Sequence, residues 1–95
     1  MSQPQADTLA TTVTNADPKT AGTALVPELA AGVAKSGSHL LPAGTTLHLD
    51  AGAAKEVSPG VVSVPATTTG TLPGKWTVTL VAKDGAWLVL SAVPA

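Results

Sequence analysis

The chain has 95 residues, room for one domain, and a domain of that size buries only about two-thirds of its unfolded surface, which leaves little stability to spare for a strained active site. It contains no cysteine, which excludes disulfides, thiolate metal sites and a thiol nucleophile. Five lysines against six carboxylates give a formal charge of −1, arginine is absent, and Lys19, Lys35, Lys55, Lys75 and Lys83 are spread along the chain, a pattern that argues against nucleic-acid binding.

Residues 1–16 carry few large apolar side chains, Leu9 and Val13 after Met1. That is too little surface to offset the entropy of ordering them, so they read as a flexible N-terminal arm. No basic segment leads into an apolar core there, and no signal peptide is visible. Residues 17–95 read as a single small β-rich domain. Asp17-Pro18 has the form of a helix start, and Pro27-Glu28 is a second. Leu25/Val26, Leu29/Ala30 and Val33/Ala34 then recur at helical spacing, Lys35 suits a C-terminal dipole and Gly37 is a natural stop, which predicts a helix over 27–35.

From residue 40 the period changes. Thr45 to Asp50 alternates, with Leu47 and Leu49 on one side and Thr46, His48 and Asp50 on the other, fed by a turn at Pro42-Ala43-Gly44. Gly52, Pro59 and Gly60 make residues 51–60 a loop. Val61, Val62 and Val64 start another strand, in which Pro65 calls for an edge position or a bulge. Leu72-Pro73-Gly74 is a turn, and residues 75–93 form a β-hairpin turning at Asp84-Gly85. The fold class is therefore mainly β with one short helix (α+β), a small antiparallel meander. The longest apolar run, Ala86 to Pro94, falls well short of the ~20 residues a spanning helix needs, so no membrane insertion is expected.

The hairpin has two possible registers. A three-residue loop, Lys83-Asp84-Gly85, sets Trp76, Val78, Leu80 and Ala82 on one face with Ala86, Leu88, Leu90 and Ala92; a two-residue turn sets them with Trp87, Val89, Ser91 and Val93. The first is preferred because that face is wholly apolar. In either register the opposite face is insufficiently polar for open water, so Ala86 to Leu90 reads as a strand covered on both sides. Either the helix and loops cover it, or part of it is an interface, with Trp87, Val89, Leu88, Leu90 and Val81 as candidate contact residues.

No catalytic constellation emerges. His39, His48, Asp50 and Ser58 lie in no arrangement that orients them together, and a zinc site needs three or four converging ligands, so no metal or cofactor is expected. Glu28 and Glu56 fall at a helix start and in a loop and form no acid/base pair. The segment Gly32 to Gly37 has no glycine before Lys35 and follows a helix, so it reads as a helix end and not a phosphate loop. Trp76 and Trp87 stand near opposite ends of the hairpin, about 20 Å apart, too far for an aromatic clamp.

Leu40-Leu41-Pro42-Ala43-Gly44-Thr45, Val64-Pro65-Ala66-Thr67-Thr68-Thr69-Gly70, Trp76-Thr77-Val78-Thr79-Leu80-Val81 and Asp84-Gly85-Ala86-Trp87-Leu88-Val89 together resemble the C-terminal β-meander of nuclear transport factor 2-like proteins, in particular the extracytoplasmic accessory domains of actinobacteria. That resemblance implies an accessory or small-ligand-binding domain outside the cytoplasm. The Ala/Thr/Val/Gly-rich, arginine-free composition alternatively resembles small virion decoration proteins, which implies a subunit that attaches to a protein partner or to copies of itself. The expectation is a non-catalytic structural or interaction module, not an enzyme, that packs through its C-terminal sheet.

Overall fold

The computed structural model describes residues 1–16, 19, 21–37 and 41–95. Two helices, α1 (Gln3–Thr14) and α2 (Pro27–Ser36), precede five strands: β1 (Thr45–Leu49), β2 (Lys55–Ser58), β3 (Val61–Gly70), β4 (Gly74–Lys83) and β5 (Ala86–Pro94). Every strand pairing in the sheet is antiparallel, in the order β1-β3-β4-β5, with β2 also on β3. The mainly β, α+β class expected from the pattern is the observed one.

The first sixteen residues are not an arm. Ser2 caps α1 through a capping box: its Oγ accepts from the Gln5 amide while the Gln5 side chain accepts from the Ser2 amide, and Pro4 fits the first turn, where no backbone donor is needed. Ala6, Leu9, Ala10 and Val13 recur at helical spacing and are buried. Counting only large side chains missed this stripe, because alanines let the helix approach the sheet closely and bury backbone as well as methyl groups. Gln3 clamps the helix down. Its Nε2 donates to the Leu49 carbonyl at 2.9 Å and its Oε1 accepts from the Ala51 amide at 3.2 Å.

Helix α2 matches the expected span to within a residue at its C-terminus, and Gly37 closes it in the left-handed conformation (φ 72°). The helix start expected at Asp17-Pro18 lies outside the described residues. Inward-facing Leu49, Val62, Val64, Ala66, Val78, Leu80 and Val89 form one core with the buried residues of both helices.

Two expectations about β3 are corrected. Residues 51–60 are not all loop: Lys55 to Ser58 pair with β3, and the strand went unseen because all four side chains are exposed and carry no apolar alternation. Nor is β3 an edge strand, despite Pro65. It lies between β4 on one side and β1 and β2 on the other. Pro65 falls between the stretch that pairs with β1 (Ala66 to Gly70) and the stretch that pairs with β2 (Val61 to Ser63). Its carbonyl accepts from the Asp50 amide at 3.0 Å, so its imide nitrogen also points at the gap where the chain turns out through Ala51–Ala53, and no ladder donor is missing.

The hairpin turns at Asp84-Gly85 as expected, with both residues at positive φ (53° and 80°), the geometry of a type I′ turn. The preferred three-residue loop is not formed: Lys83 pairs with Ala86, Ala82 with Trp87 and Leu80 with Val89. A bulge then takes up Leu90, after which Thr79 faces Ser91, Val78 faces Ala92 and Trp76 faces Pro94. The strand thus keeps the two-residue register near the turn, and beyond the bulge even-numbered residues of both strands share a face, as they would with the three-residue loop but opposite different partners. The switch keeps Trp87 and Val89 inward with Leu80, and then brings the small Ala92 inward beside Val78.

Candidate functional site

The groups expected to be inert as catalysts stand apart. His48 is exposed on β1, and Asp50 spends its Oδ1 on the Gly52 amide at 3.1 Å. Glu28 is exposed in the first turn of α2, Glu56 and Ser58 are exposed on β2, and His39 lies outside the described residues. Among the described residues no group of three or more His, Cys, Asp or Glu side chains converges on a metal position, and no helix is long and apolar enough to cross a membrane.

Trp76 and Trp87 both occupy inward rows, at opposite ends of β4 and β5. The Trp76 indole donates to Thr68 Oγ1 at 2.9 Å, and its ring lies over Gly74, where a side chain would crowd it. These contacts fix a tryptophan at the end of the core.

What the fold leaves open is most of the side of the sheet away from α1; at the turn end of that side Leu88 is buried beside Leu25, Pro27 and Ala30. Strand alternation, read from the buried positions Val62, Val64, Ala66 and Thr68 on β3 and Val78 and Leu80 on β4, sets the odd-numbered residues of β3 and β4 outward. Cross-strand rows on that face are Val61–Val81–Leu88, Ser63–Thr79–Ser91 and Pro65–Thr77–Val93. Its middle is hydroxyls and small alkyl groups. Val93 is 54% exposed and the bulged Leu90 is 44% exposed.

Of the five candidate contact residues, three serve the chain's own packing. Val89 is buried in the core, and its backbone bonds to the segment before α2: its amide donates to Ala24 O at 2.7 Å and its carbonyl accepts from the Val26 amide at 3.1 Å. Leu88 is only 9% exposed, and Trp87 packs inward against the core. Val81, half-buried on the outer face, and Leu90 remain. Val93 and Pro65 belong to the surface too and were missed; the signal that could have found Val93 was the mismatch between an apolar residue and its outward position once the bulge is placed.

Of the three outermost strands, β1, β2 and β5, two are irregular. β2 shifts register around Val57, which is 62% exposed, and β5 shifts at Leu90 and ends in Pro94. Bulges and a terminal proline interrupt the regular row of donors and acceptors that another strand would need.

Comparison of the chain with protein-family models, with curated proteins and with solved structures gives no match.

Proposed function

We propose that the protein is a non-catalytic interaction module that docks on a protein partner through the outer face of its β3-β4-β5 sheet. The observation that carries this reading is the asymmetry of the sheet: α1 buries Ala6, Leu9, Ala10 and Val13, and α2 its Val33, in one core with the inner rows, while the outer rows present Val81, Pro65, Val93 and a band of Ser and Thr to the surroundings. An exposed face with alkyl groups among neutral hydroxyls has a low desolvation cost when another surface covers it. The irregular β2 and β5 favour face-to-face docking over strand addition at those edges. A virion surface subunit and an extracytoplasmic accessory domain are both settings in which such a module would work.

One observation favours the second setting. A helix does precede the sheet and pack on it, as in nuclear transport factor 2-like accessory domains, although Leu9, Val13, Leu25 and Val33 fill the space between the layers with core. The docking reading holds for either setting. The test is a photo-crosslinking residue placed at Ser91 on the outer face, compared with one at Thr8 on the exposed side of α1, in cells that produce the protein. Docking through the sheet predicts a discrete protein adduct from position 91 and none from position 8; adducts from position 8 alone would refute it.

A further inference from the structure

The outer face has a charge pattern as well as a shape. Lys75 and Lys83 stand at the two ends of β4, both on the outward side, and Lys55 on β2 lies opposite Ser63 of an outward row. Glu56, next to Lys55, lies opposite inward-facing Val62 and so points to the helix side. No strand position on the outer face carries a carboxylate. Asp84 lies in the turn beyond Lys83, and Asp50, just past β1, is held on the Gly52 amide. Asp7 belongs to α1 on the core side, and Glu28 to the exposed first turn of α2, which starts beside Leu88 at the turn end of the face.

Resting on the docking reading above, we infer that the partner is a protein surface with an uncharged centre flanked by carboxylates that meet Lys55, Lys75 and Lys83. The lysines bracket the contact and do not cluster: at ~3.4 Å per residue, Lys75 and Lys83 are about 27 Å apart along β4. With about 4.8 Å between strands, the face offers roughly 500 Å², below the ~800 Å² that each side of a standard interface contributes. A contact of that size depends on electrostatic complementarity for its specificity and on-rate.

The same pattern disfavours other occupants. A second copy docked symmetrically on this face would bring together two lysine-rimmed surfaces without strand carboxylates, a like-charge pairing that disfavours it. An anionic bilayer is gripped by clustered lysines and by inserted tryptophans, whereas here the lysines are dispersed and both tryptophans sit in inward rows.

The experiment uses the position-91 photo-crosslinker in the full chain, in its native surface charge and in two variants: Lys75→Glu with Lys83→Glu, and Lys35→Glu on exposed α2 as a control of equal chemistry. The expected result is a protein adduct whose crosslinked peptide is flanked by Asp or Glu. Its yield falls roughly tenfold or more in the Lys75/Lys83 variant and on raising the salt, but not in the Lys35 variant. An adduct that survives both lysine reversals overturns the acidic partner and leaves the docking face standing. An adduct to lipid or to a second copy of the chain also overturns it. No adduct from position 91 removes the docking face itself, and the inference with it.

Discussion

Gly70 and Gly44 meet where β3 leaves β1. Both have positive φ (89° and 84°), the Gly44 carbonyl accepts from the Thr71 amide, and Thr71 Oγ1 donates to the Ala43 carbonyl at 2.7 Å. A Cβ on Gly70 would collide with the Gly44 carbonyl oxygen, whereas one on Gly85, at a similar φ of 80°, would meet nothing. Gly85→Ala therefore carries only the left-handed penalty, about 1–2 kcal/mol. Gly70→Ala adds a steric clash with backbone, for about 2–5 kcal/mol in all. Urea unfolding of the pair checks this, and equal losses would contradict the close approach. Trp87 gives a second prediction. Packed inward beside Ala82 and against the core, it should cost about 2–4 kcal/mol when truncated to alanine, with no separate loss of partner binding beyond the loss of folded protein. Residue-level chemistry was legible where one side chain decides it, as at Asp84-Gly85. It was illegible at Gly70, because the need for glycine comes from the carbonyl of Gly44, 26 residues earlier in the chain.

Helix α1 shows what period alone can and cannot say. Its alanines at positions 6 and 10 line up with Leu9 and Val13, but the stripe has meaning only with a sheet to bury it, and the capping box Ser2–Gln5 was the one local signal of a helix start. Leu9→Ala should destabilise the protein by about 2–4 kcal/mol in a single cooperative transition. A flexible arm would instead lose nothing, and its amides would exchange at the rate of an unfolded chain. Strand β2 was hidden for the opposite reason: it is held by backbone pairing alone, with no apolar side chain on the core. The bulge in β5 explains why neither simple register was right. Continued without a break, the two-residue register would set Ser91 inward beside Val78, and the one extra residue at Leu90 sets Ala92 there instead. Deleting Leu90 should therefore leave Thr77 opposite Val93 and Trp76 opposite Pro94. Cross-strand nuclear Overhauser contacts between Val78 and Ala92 would persist; their replacement by contacts between Val78 and Val93 would show that the bulge re-forms at Ser91 and is set by the sheet and not by Leu90.

At the scale of the molecule, the hairpin's two faces have different fates. The inner rows complete the chain's own core with α1 and α2, and the outer rows offer neutral hydroxyls, Val81, Pro65 and Val93 within a frame of lysines. The sequence pattern showed that the second face of the hairpin was too apolar for open water, but it could not divide those apolar residues between core and surface. That division depends on the bulge and on the Leu25–Val26 segment that lies beside Val89, both tertiary features. The outer face should be dispensable for folding and necessary for docking, a separation best read at Val93, exposed on β5 beside Thr77 of that face. Val93→Asp, followed by thermal unfolding and by adduct yield from the crosslinker at Ser91, is the most direct measurement. The predicted result is a Tm lowered by no more than about 8 °C, the equivalent of ~1 kcal/mol in a domain of this size, together with loss of the adduct. A fall in Tm beyond about 15 °C would make the face part of the core, and an undiminished adduct would mean that the partner binds elsewhere; either would contradict the account.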